Sequence, residues 1–114
     1  MKLGEIAKTF SGGTPKSTIK EYYIGNIPFI KSGEINSTQT EQFINEEGIK
    51  NSSAKKVNKG DLLYALYGAT SGTVGISNID GAINQAVLCI RTKENKFYLF
   101  YLLDYLKQNI INSF

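Results

Sequence analysis

The side chains in this 114-residue sequence that could do chemistry fall into a few short runs of glycine, hydroxyl, amide and lysine residues. Ser11-Gly12-Gly13-Thr14-Pro15-Lys16 is the first, Ser52-Ser53-Ala54-Lys55-Lys56 the second, and Tyr67-Gly68-Ala69-Thr70-Ser71 the third. Lysine binds phosphate through charge and counterion release, which gives affinity without sequence information. Reading a base edge needs short, directional groups with both donors and acceptors, such as serine, threonine, asparagine and glutamine. Glycine lets backbone approach closely and adopt turns closed to other residues. This chemistry nominates three DNA-contacting loops. They are Ser11, Gly12, Gly13 and Thr14 with Lys16 on phosphate; Gly68, Ala69, Thr70 and Ser71 with Tyr67 at their base; and Ser52, Ser53, Lys55 and Lys56. Lys31 and Lys59 suit phosphate contacts or simply flank strands. Taken on residue type alone, each loop is more simply an ordinary polar turn. Asn84 and Gln85 can pair with adenine or bond to backbone at a strand entrance, the second being the simpler reading. Tyr22 and Tyr23, beside Lys20, can lie against sugar and phosphate or cover a sheet.

Enzyme chemistry is poorly provided for. The chain has no histidine, the commonest general base and neutral metal ligand. Cys89, between Leu88 and Ile90, reads as a buried structural thiol. One cysteine and no histidine cannot build a zinc site of the usual composition. Glu46 and Glu47 are the adjacent carboxylates, and neighbours on a helix point in different directions. The Gly68–Gly75 run lacks the lysine of a phosphate-binding loop and leads into strand-like sequence rather than a helix. We therefore expect no catalytic residues, no metal and no cofactor.

Composition agrees with a binding module. Hydrophobic residues are 41% and charged residues 20%, which is ordinary globular composition. A chain of this length can bury roughly 65% of its unfolded surface, enough for one core. The net charge is +3. Up to Gly60, nine lysines face six glutamates; beyond it, four cations match four acids. The whole excess lies in the first half, and Lys50 to Lys59 contains no acid, which fits a polyanion-facing surface or a solvated lysine-rich one. No apolar run is long enough to span a bilayer, and Met1-Lys2-Leu3-Gly4-Glu5 turns acidic too soon for a signal peptide. A single cysteine points to a reducing cytoplasm.

The elements that must carry these loops are short. Leu3 to Phe10 reads as a strand or helical turn, and Ile27-Pro28-Phe29-Ile30-Lys31 as a strand with proline near its start. Asn45 to Gly48 reads as one capped helical turn that glycine ends early. Leu62 to Tyr67 is the most apolar run and reads as a buried strand; Thr73 to Ile76 and Ala86 to Ile90 follow as two more. From Lys96, Leu99, Leu103, Leu106, Ile110 and Phe114 recur at helical spacing, which predicts an amphipathic helix over about 96–114. The class is α+β: a curved, mainly antiparallel β-sheet with short helices and a C-terminal amphipathic helix. Ile110, Ile111 and Phe114 have few partners in so short a chain, so that stripe is expected to meet another segment or protein.

Four segments in order resemble the target recognition domain of a Type I restriction-modification specificity subunit. These are Leu3-Gly4-Glu5-Ile6 leading to Ser11-Gly12-Gly13-Thr14-Pro15; Ile27 to Glu34; Ile44 to Lys55 running into Lys59-Gly60-Asp61; and Tyr67-Gly68-Ala69-Thr70 with Gly72, Val74 and Gly75, followed by Ala82-Ile83-Asn84-Gln85-Ala86. The resemblance implies a non-catalytic component that reads double-stranded DNA. Methyltransferase and restriction subunits would then be its partners, and they would do the chemistry. It also implies a single, partial recognition domain over 1–114, truncated before the family's spacer helix. Such a piece could instead act mainly as a protein-interaction module, self-associating or pairing with a second specificity fragment through its C-terminal helix.

Overall fold

The computed structural model describes residues 7–67, 71–92 and 95–112, with side-chain surroundings given for residues 8–67, 71–92 and 95–105. Among the described residues, eight short strands form two four-stranded sheets. In the first, β1 (Ala7–Ser11), β8 (Val87–Thr92), β5 (Leu62–Ala65) and β6 (Val74–Ile76) lie in that order, all antiparallel. In the second, the order is β3 (Gln42–Ile44), β2 (Ile27–Ile30), β7 (Gly81–Ile83) and β4 (Lys55–Val57). There β2 and β7 run parallel while the outer pairings are antiparallel.

Strand alternation sorts the apolar residues into layers. Ile30, Val57 and Ile83 from the second sheet meet Leu63, Ala65, Val87 and Cys89 from the first in one buried cluster. The opposite face of the second sheet presents Phe29, Ile44 and Ala82, covered by Tyr23 and Ile49. The opposite face of the first presents Leu62 and Ile90, covered by Leu99, Phe100 and Leu103 of the C-terminal helix. Both faces of each sheet are thus occupied, which explains why Leu62-Leu63-Tyr64-Ala65 is apolar without alternation. Each fully buried Leu or Ile contributes roughly 1.5–3 kcal/mol.

The α+β class and the antiparallel bias are as expected, but the strands divide into two packed sheets instead of one. Three strands were not legible: β3, β4 and β7 are three residues each and carry too little pattern to register. Pro28 is tolerated because it precedes the β2–β7 ladder, which begins at Phe29. The helical turn after Asn45 also differs. Asn45 does cap it, its Oδ1 accepting from Gly48 N at 2.9 Å, but helix α1 runs Glu46–Lys50 straight through Gly48. A Cβ at Gly48 would lie 3.1 Å from Tyr22 Cβ. The glycine there gives the preceding turn room to pack; it does not end the helix.

Helix α2 spans Lys96–Asn112. Leu99 is buried and Leu103 half-buried, as the stripe required. The surroundings of Leu106, Ile110 and Ile111, and all of Phe114, fall outside the described residues. The described helix nevertheless exposes a second apolar band: Phe97, Tyr98, Tyr101, Leu102 and Tyr105. Among the described residues no helix is long and apolar enough to cross a membrane.

Candidate nucleic-acid interface

The parallel pairing of β2 and β7 brings two strand ends to the same place, with Phe29 opposite Ala82 and Ile30 opposite Ile83. Lys31 and Asn84 therefore leave the sheet side by side. The loop after β1 crosses these ends at very short range. Gly12 N donates to Asn84 O at 3.1 Å, and a Cβ on Gly12 would sit 1.8 Å from Ile83 O. A Cβ on Gly13 would meet Ser53 Cβ at 2.6 Å. These two glycines are close-approach residues. Gly13 is itself buried, so its part is to hold the 11–16 and 52–55 loops against each other.

The contacts continue beyond them. The Thr14 hydroxyl donates to Gln85 Oε1 at 2.7 Å, and Leu66 N donates to Ala86 O at 2.8 Å. Ser53, Gly13, Thr14, Gln85, Ala86 and Leu66 form an unbroken series, and Tyr67 extends it, 51% exposed. Ser11, Thr14, Lys16, Ser53, Lys55 and Ser71 are exposed, while Gly12, Lys31 and Ser52 are half-buried. Gly72 N donates back to Ala65 O at 2.8 Å, so Gly72 sits at the end of β5. Gly68, Ala69 and Thr70 lie outside the described residues.

Two nominated residues are occupied locally. Ser52 Oγ accepts from Ala54 N at 3.1 Å. Lys56 Nζ pairs with Glu46 Oε1 at 2.6 Å. Adjacent strand residues point to opposite faces, so Lys55 and Lys56 are not brought together: Lys56 turns toward α1, whereas Lys55 Nζ lies 3.4 Å from Ser53 O. Asn84 is a backbone anchor, its Oδ1 accepting from Ala86 N at 3.0 Å and its carbonyl from Gly12 N and Val87 N. Gln85 is exposed and aimed by Thr14.

One group of residues escaped the sequence reading. A groove of about 380 Å³ opens beside the first loop, over the face of the second sheet that carries Phe29. Thr14, Ser17, Lys20, Lys31, Gln42 and Asn84 line it, with Tyr23 and Phe29 as its aromatic part. Gln42 is there because it opposes Phe29 in the β2–β3 ladder. The Tyr23 hydroxyl donates to Pro15 O at 2.6 Å, and burial raises its pKa. Lys20 beside the tyrosine pair was the one signal available; Gln42 gave none because β3 itself was missed.

Little else among the described residues has reactive character. Burial, then the charge of Asp61, pushes the Cys89 thiol up to about 12, so it is neither nucleophile nor ligand at neutral pH. Burial alone would raise the Asp61 pKa, but hydrogen bonds from Arg91 and from Asn58 N, with the guanidinium charge, bring it below the ordinary value. Arg91 is held bidentately, Nη2 to Oδ2 at 2.9 Å and Nε to Oδ1 at 3.3 Å, and lies 5.1 Å from the centre of the Phe10 ring. Among the described residues no cluster of histidine, cysteine or acidic side chains is placed to hold a metal ion.

Comparison with known proteins adds a family. The model of the Type I restriction modification DNA specificity domain matches residues 1–114. The chain is 25% identical to the Type I restriction enzyme EcoR124I/EcoR124II specificity subunit of Escherichia coli, over 97% of this chain and 30% of that protein. It is 30% identical to the MjaIX specificity subunit of Methanocaldococcus jannaschii, over 89% of this chain and 25% of that one. The fold is similar to the HsdS subunit from Thermoanaerobacter tengcongensis, with a TM-score of 0.74, 21% identity, and 96% of this chain and 27% of that chain covered. The chain thus spans between 25% and 30% of the length of the curated relatives it matches.

Proposed function

The chain belongs to the Type I restriction modification DNA specificity domain family, and on that premise we propose that it reads part of a double-stranded DNA target while methyltransferase and restriction subunits act there. One observation carries this: two of the loops nominated for base and phosphate contact meet at one end of the paired sheets, Ser53 against Gly13, and from Thr14 the contacts run through Gln85 and Ala86 to Leu66, the residue before Tyr67. A duplex can meet several groups at once only if they share a face, and the exposed hydroxyls and amides there have the right donors and acceptors. Lys16 and Lys55 supply phosphate contacts at its margin, with Lys31 between the strand ends. Gly68, Ala69, Thr70 and Ser71, which follow Tyr67 in the chain, are proposed with it as the third set of DNA contacts. Ser11 and Ser52 flank the reading surface, while Lys56 is taken up by Glu46 on the adjoining face. The domain then contributes address and orientation, not chemistry.

A gel-shift titration at low salt tests the reading. Lys16→Ala is expected to weaken all duplex sequences about equally and to reduce the salt slope by about one. Absence of any shift by a longer specificity chain carrying this domain would overturn it.

The exposed band on α2 favours a second role alongside the first. Tyr98 and Tyr101 are each 67% exposed on a helix whose other face is packed, and aromatic residues of this kind are enriched at protein interfaces. Docking onto methyltransferase or another specificity subunit would cover them. A pull-down with those subunits that fails for the native chain would remove this role.

A further inference from the structure

Two grooves of similar size open on the second sheet, and their charges are opposite in character. One, about 360 Å³, is lined by Glu46 and Asp80 together with Lys56, and Glu46 already neutralises that lysine at 2.6 Å. The other, about 380 Å³, contains Lys20 and Lys31 and no carboxylate at all. Neither of its lysines takes part in an ion pair among the described residues. Its remaining polar groups are the Thr14 and Ser17 hydroxyls and the amides of Gln42 and Asn84, and its wall includes the Tyr23 ring, pinned by the bond to Pro15 O.

We propose that this second groove binds a single nucleoside monophosphate unit, with phosphate between Lys20 and Lys31 and the base beside Tyr23 within reach of Gln42. The volume lies at the low end for small-ligand sites, roughly 300–1,000 Å³, so it suits one nucleotide and not a duplex. Two ammonium groups outside any ion pair among the described residues favour a dianion or a phosphodiester, with the Glu34 carboxylate held on Lys31 N at 3.2 Å. A fixed aromatic ring and a neutral amide suit a base, which offers a flat face and an edge of donors and acceptors. Thr14 belongs both to this groove and to the proposed duplex-reading series, so the groove opens where a nucleotide unstacked from bound DNA could enter. That source rests on the reading above; free nucleotide is the other source of the same chemistry.

The test is a chemical-shift titration of the full chain with thymidine and deoxyadenosine 5′-monophosphates, with inorganic phosphate and the unphosphorylated nucleosides as controls. The monophosphates are expected to move Thr14, Lys20, Tyr23, Lys31 and Gln42 resonances, and Lys20→Ala or Lys31→Ala to weaken binding about fivefold each, the size of a solvent-exposed charge contact. No shift up to about 10 mM, beyond the range of even a weak millimolar site, overturns the proposal. So does an equal response to phosphate alone, which would make it a bare anion site. A duplex carrying 2-aminopurine separates the sources: brightening that is lost in Lys20→Ala marks an unstacked nucleotide, and monophosphate binding without brightening marks free nucleotide. Duplex-induced shifts at Lys16 and Ser53, with a groove silent toward the monophosphates as well as the duplex, would sink this inference and leave the DNA reading standing.

Discussion

Replacing Gly12 by alanine is the sharpest test of how the first contact loop is held. The added Cβ would stand 1.8 Å from Ile83 O and 2.5 Å from Ile83 C. Both are backbone atoms of a buried strand, so no side chain can swing away. The loop itself must move by more than an ångström, and the bond from Gly12 N to Asn84 O, 3.1 Å long, goes with it. Overpacking of this sort costs about 1–3 kcal/mol and the lost hydrogen bond about 1 kcal/mol, giving a total near 2–4 kcal/mol. That is a large share of the stability of a domain this size. Urea unfolding followed by tyrosine fluorescence measures it, as a fall in midpoint at unchanged slope. Gly33→Ala is the internal control: its Cβ would meet nothing within 4 Å, so stability should hold or rise by up to about 1 kcal/mol. A Gly12→Ala loss under about 0.5 kcal/mol, the ordinary range for surface changes, would refute the account of this loop. Duplex binding should fall with the same substitution even where the chain remains folded, because Thr14 and Lys16 would be displaced together.

Three further outcomes follow from local geometry. Lys55→Ala should weaken duplex binding more than Lys56→Ala in salt-dependent gel shifts, and Lys56→Ala should alter stability by less than about 1 kcal/mol, since its pair with Glu46 is exposed; equal effects on binding would contradict the opposite-face placement. Asp61→Asn should cost about 1–2 kcal/mol near neutral pH, the value of charged hydrogen bonds discounted for the partial exposure of Arg91. Because the folded carboxyl titrates below its unfolded value, that stabilisation is complete above about pH 4 and disappears as pH falls through the folded pKa. Wild type and variant should therefore converge in acid denaturation; a constant gap would show that the charge is not the cause. Cys89, with its thiol at about 12 and fully buried, should react with a disulfide reagent at neutral pH only as fast as the chain unfolds; prompt labelling under native conditions would contradict its burial.

The sequence by itself determined the long-patterned elements and the chemical character of the surface. Leu62 to Ala65 and Val87 to Ile90 are apolar enough to name their own strands, and the leucine spacing from Leu99 named the helix, because burial must match the repeat of the backbone. The glycine, hydroxyl and lysine loops were visible because residue type sets what a turn can bind. Tertiary structure alone decided which of these meet. Lys55 and Lys56 are neighbours in the chain, yet strand alternation sends them to different faces, one beside Ser53 and the other onto Glu46. Thr14 and Gln85 are 71 residues apart and share a hydrogen bond, because the antiparallel pairing of β1 with β8 sets Ser11 opposite Leu88 and carries the flanking loops to the same place. Three-residue strands such as Gln42–Ile44 and Gly81–Ile83 have no periodicity of their own. They exist only because a neighbouring strand satisfies their backbone and a core covers their side chains. The groove that they help to build was therefore invisible until the chain was folded.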